Sequence, residues 1–150
     1  MDKATESAAR PSAPLTAGPR WYKRRIRMLG PLYGLIPMIG LGTVALVSLW
    51  LGDGRTSGLI GLFAGATAAP GLLVAGAPFG DDANYPIAVV GSVPLWLLLG
   101  YLAAWRATRR PIATWGDYAR ELAYLTIAVG VGAAVALYIA AQVVGRSLIV

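Results

Sequence analysis

One short segment, Pro78-Phe79-Gly80-Asp81-Asp82-Ala83-Asn84-Tyr85-Pro86, sets two adjacent carboxylates beside an amide. Oxygen donors of this kind suit Mg²⁺ or Ca²⁺. Turn chemistry explains the same residues more simply, because Gly-Asp and Ala-Asn beside prolines are what a solvent-facing loop uses. The expectation is therefore no metal and no cofactor, with Asp81 and Asp82 kept as the candidate ligands. The rest of the chain holds no cysteine and no histidine. That excludes disulfides, thiolate metal sites and thiol redox chemistry. It also removes the commonest metal ligand and the usual proton shuttle near neutral pH. His-ligated haem, zinc hydrolysis and Ser-His-Asp catalysis are excluded with them, and no catalytic residue is assigned.

The remaining polar groups lie inside long apolar blocks. Thr43, Ser48, Thr67, Ser92, Thr126, Tyr138 and Gln142 are expected to bond backbone carbonyls or a neighbouring helix. No Asp, Glu, Lys or Arg falls near the centre of any block. Ionisable groups at mid-depth mark ion and proton pathways, so a proton relay inside this chain is not expected.

Charge gathers instead at the ends of the blocks. Of 13 basic residues, seven precede the first block: Lys3, Arg10, Arg20, Lys23, Arg24, Arg25 and Arg27. The stretch 20–27 (RWYKRRIR) reads as a membrane-surface collar, its aromatics in the headgroup zone and its bases on anionic lipid. Trp105-Arg106-Ala107-Thr108-Arg109-Arg110-Pro111 has the same aromatic-then-basic character and suits lipid phosphates or an acidic partner surface. Arg20, Lys23, Arg24, Arg25, Arg27, Arg106, Arg109 and Arg110 are thus the expected lipid-headgroup residues. The net charge of +6 and a pI of about 10.1 need no nucleic acid to explain them, and none is expected.

These residues are positioned by four hydrophobic blocks, at about 28–51, 57–77, 85–105 and 122–144. Each approaches the ~20 residues that a helix needs to cross a bilayer's hydrocarbon core. The chain is 57% hydrophobic and 13% charged, with a mean hydropathy of +0.62. A soluble domain of 150 residues cannot hide that much apolar surface. The expected fold is all-α: a polytopic membrane helix bundle with four transmembrane helices and a disordered N-terminal tail. Residues 1–19 are that tail, since they are too poor in large apolar side chains to offset ordering entropy. They lack the features of a signal peptide. Residues 20–150 form the membrane domain. Pro37 is expected to kink the first span, and Pro70 and five glycines make the second poor against lipid. Thr114 and Asp117 form a capping-box variant that starts the fourth helix before it enters the hydrocarbon near Leu122.

With four full crossings, both ends of the chain are cytoplasmic. Lys and Arg then divide eight inside to five outside, with the strain concentrated in the loop carrying Arg106, Arg109, Arg110 and Arg120. A second arrangement removes that strain. Residues 57–77 become re-entrant half-helices bent at Pro70-Gly71, and the basic loop returns to the cytoplasm. Such backbone is tolerated only where protein or a water-filled cavity covers it.

Small residues recur every fourth position as Ala128, Gly132, Ala136 and Ala140 in the last block, and as Gly61, Gly65 and Ala69 in the second. Such stripes let another helix approach closely, whether within the bundle or on a partner. The expected partners are membrane lipids, with other membrane subunits or a second copy of the chain. The expected function is a non-catalytic accessory or structural subunit, or an assembly factor, of a larger membrane complex. Prolines within the helices keep a small oligomeric transporter or lipid flippase as the alternative. An interfacial lipid enzyme using Asp81 and Asp82 is the third reading. Localisation is expected to be the bacterial inner membrane, multi-pass, with the N-terminus cytoplasmic; the Ala- and Arg-rich, Lys-poor composition fits a high-GC bacterium.

Overall fold

The structure is a computed structural model and describes residues 19–52, 54–76 and 84–147. The tail 1–18 and the carboxylates Asp81 and Asp82 lie outside the described residues. The described residues form helices α1 (Pro19–Tyr33), α2 (Leu35–Leu51), α3 (Arg55–Ala68), α4 (Gly71–Val74), α5 (Tyr85–Ala107) and α6 (Trp115–Ser147), and no strand.

The basic collar is helical from its start, so α1 begins well before the first apolar block at 28. α1 and α2 are nearly continuous and together make one apolar rod. The irregularity between them falls at Gly34, whose N–H is shared between the carbonyls of Gly30 and Pro31. Pro37 supplies the cause. It has no N–H for the Tyr33 carbonyl, and its ring crowds that carbonyl.

Three helices are long and apolar enough to cross a membrane: Arg20–Leu51, Tyr85–Ala107 and Trp115–Val143. The second block, expected as a full span at 57–77, is not among them. α3 has 14 residues, about 21 Å at 1.5 Å per residue, against a hydrocarbon core of about 30 Å. It stops at Ala69-Pro70, and the chain turns into the four-residue α4. Pro70 cannot donate to the Ala66 carbonyl, and this ends the ladder.

The contacts fix where the broken segment goes. α2 and α3 run antiparallel: Gly61 lies against Leu49 and Ala45, Gly65 against Ala45, and Gly42 against the Ala68 methyl. The turn after Ala68 meets α5 at Trp96, the midpoint of that helix. From there Gly71 lies on Ala88 and Ser92, nearer the start of α5. α3 therefore reaches half the depth of the bundle and α4 turns back towards the end it came from. The second block therefore turns back partway instead of running the length of the bundle.

Side chains from α5 satisfy the interrupted backbone. Trp96 Nε1 donates to the Ala68 carbonyl at 2.6 Å. Ser92 Oγ accepts from the Gly71 N–H at 3.0 Å and donates to the Ala88 carbonyl at 2.9 Å. Helix ends away from water require such partners. Trp96 is fully buried, as are Thr67 and Ser92. The hydroxyls of Thr43, Thr67 and Thr126 each donate to the carbonyl four residues earlier. Pro94 lies inside α5 without interrupting it.

α1 and α5 cross closely. A methyl on Gly100 would lie 2.8 Å from the Gly34 Cα and 2.6 Å from the Gly30 oxygen. One on Gly30 would run into Ala104. Gly30 on α1 and Gly34 at the α1–α2 junction thus face Gly100 and Ala104 on α5. α6 joins this crossing through Tyr118, whose hydroxyl donates to the Gly30 carbonyl at 2.6 Å. Around it Ile26, Ala103, Ala104, Ala107, Ala113, Tyr118 and Leu122 form a continuous buried cluster.

Candidate functional site

That cluster lies under one end of the bundle, where the start of α1, the end of α5 and the start of α6 converge. Arg20, Lys23, Arg24, Arg25, Arg27, Arg106, Arg109, Arg110 and Arg120 all belong to these segments. Among the described residues only Arg55 and Arg146, near the opposite end, complete the basic set. The turn at Ala69-Pro70 is responsible. Because α3 and α4 double back, the α5–α6 loop joins the start of α1 instead of facing away from it.

The cations at this end divide into two groups. The first stands beside carboxylates. Asp117 accepts from Arg110 at 2.7 Å and lies 3.5 Å from Arg120. Glu121 stands 4.0 Å from both Arg106 and Arg110. Asp117 is held by the cap of α6: its N–H donates to Thr114 Oγ1 at 3.1 Å, and its carboxylate accepts from the Thr114 backbone N–H at 3.2 Å and from the Thr114 hydroxyl at 2.8 Å. This reciprocal geometry is a capping box with Asp in place of Glu. Arg106 and Arg110, two of the residues expected at lipid headgroups, stand beside these carboxylates.

The second group has no acidic partner among the described residues. Arg20, Lys23, Arg24 and Arg27 fall at helical steps of three and four, which puts them on one face of α1. They line a cavity of about 350 Å³ with Met28 and Thr108. Arg27 also lines a second cavity, of about 230 Å³, with Tyr101, Ala104 and Trp105. Its Nε donates to Thr108 Oγ1 at 3.0 Å. The Thr108 hydroxyl proton points to the Trp105 carbonyl at 3.2 Å. Thr108 is buried, so this anchor fixes the guanidinium plane and leaves its four terminal N–H groups for other acceptors. Arg109 stacks on Trp105, with Cζ 3.6 Å from the ring centroid. Arg25 covers Trp21 at 4.9 Å on another face of α1.

The small-residue stripes part company. Gly61 and Gly65 are used inside the chain, against α2. On α6, a methyl added at Gly132 would meet nothing within 4 Å. Ala128 and Ala140 are exposed and Ala136 is half-buried. Gln142 and Tyr138 are also exposed on α6. Gly30, Gly34, Gly100, Trp96 and Thr108 are not among the residues expected from the sequence. The first two carry a visible signal, a Gly-x-x-x-Gly spacing; Trp96 and Thr108 act through contacts far away in sequence and carry none.

No protein-family model, curated protein or solved structure matches this chain.

Proposed function

We propose that this chain is a non-catalytic accessory or structural subunit, or an assembly factor, of a larger complex in the bacterial inner membrane. In this reading three helices cross, α3 and α4 form a re-entrant hairpin, and the basic end faces the cytoplasm. The positive-inside rule supports that orientation, because nine described cations share one end and two the other.

The observation that carries the proposal is the open stripe on α6. Ala128, Gly132 and Ala140 leave a smooth strip with no helix of this chain upon it among the described residues. Small residues at steps of four favour close helix approach. The equivalent stripe on α3 is filled by α2, so the chain uses this device internally and leaves one copy unfilled.

The broken backbone at Ala69-Pro70 favours the second reading, a small oligomeric transporter or lipid flippase. Against it, Trp96 and Ser92 occupy the interrupted groups, and Thr67 and Ser92 turn their protons to their own helices. Neither hydroxyl is left with a proton for a substrate.

Purification in mild detergent followed by native mass spectrometry tests the proposal. The expected result is a stoichiometric assembly with other membrane proteins, disrupted by Gly132→Leu while the isolated chain keeps its thermal stability. A monodisperse homomer without partners refutes the accessory role. Assembly unchanged by Gly132→Leu shows that the stripe faces lipid.

A further inference from the structure

We propose that the groove between α1 and the end of α5 holds one anionic phospholipid. Its phosphodiester lies against Lys23, Arg24 and Arg27, and its glycerol region enters the neighbouring cavity at Tyr101 and Trp105. This binding does not depend on the accessory role.

Charge is segregated at this end of the bundle. Both carboxylates described there, Asp117 and Glu121, stand with Arg106, Arg110 and Arg120. Among the described residues no carboxylate lines either cavity. The face of α1 is therefore left as an uncompensated row of cations around a concavity. A polar rim that served only solubility would gain nothing from keeping its acids on the opposite side.

The shape of the space points the same way. The outer cavity is ringed by Arg20, Lys23, Arg24 and Arg27. The adjoining one is walled by Tyr101, Ala104 and Trp105. They meet at Arg27, which lines both. α5 runs towards the basic end, so Tyr101 lies about one helical turn deeper in the bundle than Trp105. A ligand that fills both spaces has a charged head and an apolar body. Inorganic phosphate or a soluble acidic segment would use only the outer one. Met28, which lines the outer cavity, is exposed, as are Leu32 further along α1 and Leu98 on α5, and acyl chains would lie against these apolar side chains.

The groove is also preorganised. Thr108 fixes the Arg27 guanidinium before any ligand arrives, which reduces the ordering cost of binding. Planar guanidinium groups suit phosphate oxygens in two-point contact. Basic pockets between membrane helices on the cytoplasmic side take anionic headgroups in the same way.

The test titrates the full-length chain in zwitterionic detergent with phosphatidylglycerol and with phosphatidylcholine of the same acyl chains, counting retained lipids by native mass spectrometry. The expected result is one phosphatidylglycerol held at least tenfold more tightly than phosphatidylcholine. Each cation contributes about fivefold, so the double variant Lys23→Gln, Arg24→Gln loses about 25-fold. Arg27→Gln loses at least fivefold, and Arg110→Gln, whose charge is already compensated, stays within twofold. Lys23 and Arg24 make no hydrogen bond or ion pair among the described residues, so the double variant keeps the fold even if Arg27→Gln does not. Equal retention of the two lipids overturns the proposal. So does an Arg110→Gln loss as large as that of the double variant. Displacement of the lipid by millimolar inorganic phosphate would overturn it too, and would assign the groove to soluble anions instead.

Discussion

Replacing Trp96 with Phe isolates what the break at Ala69-Pro70 demands. Trp96 is 0% exposed, and its indole N–H is the partner given to the Ala68 carbonyl. Phe keeps most of the ring and deletes the donor. A buried carbonyl left unpaired costs about 1–3 kcal/mol. The smaller ring also leaves a void. If that void has about the volume of one water molecule, about 30 Å³, it adds about 0.7 kcal/mol at about 24 cal/mol per Å³. Together these give about 2–4 kcal/mol, roughly a 25- to 700-fold shift in the folding equilibrium at about 1.4 kcal/mol per tenfold. Reversible unfolding in mixed micelles, followed by far-ultraviolet circular dichroism, measures this directly. Trp50 is the control. It is 89% exposed, so Trp50→Phe should stay within about 0.5 kcal/mol of the wild type. A Trp96→Phe variant equally close to the wild type would refute the reasoning, because the Ala68 carbonyl would then need no partner from α5.

Two other outcomes follow from the packing. Gly100→Ala should destabilise the bundle by about 1–3 kcal/mol, because its methyl meets backbone atoms of α1 that cannot rotate away. Gly91→Ala, which meets open space on the same helix, should be neutral or slightly stabilising in the same unfolding assay. The course of α3 and α4 can be read by labelling, since the natural chain has no cysteine to interfere. Single cysteines at Thr56 and Asn84 should react with an impermeant maleimide from one side of the membrane, and one at Thr114 from the other. Labelling of Thr56→Cys and Asn84→Cys from opposite sides would restore a fully spanning second block.

The helical class is plain from sequence, because long apolar blocks bounded by bases have few other solutions. The start of α5 and the cap of α6 are also legible. Pro86 near the start of α5, and Thr114 with Asp117 at the start of α6, are local signals that act on their own neighbours. The second block is not decided by local signals. Its glycines and Pro70 are compatible with a bent span or a hairpin. The choice rests on Trp96 and Ser92, which lie in another helix and accept the broken backbone there. The same limit applies to the basic residues. Their types mark an interface, but only the fold shows that Asp117 and Glu121 engage one group of arginines and leave the α1 face without a carboxylate partner among the described residues. Helical spacing at 20, 23, 24 and 27 is the one hint of that face present in the sequence.

The hairpin also imposes an order on how the molecule can be made. The Ala68 carbonyl waits for an indole that emerges from the ribosome 28 residues later. Until then the nascent α3–α4 segment has a gap in its hydrogen bonding that hydrocarbon will not fill. The break at Ala69-Pro70 is therefore closed only when α5 is in place beside it. A chain cut short before Trp96 would lack the donor that the Ala68 carbonyl takes in the finished fold.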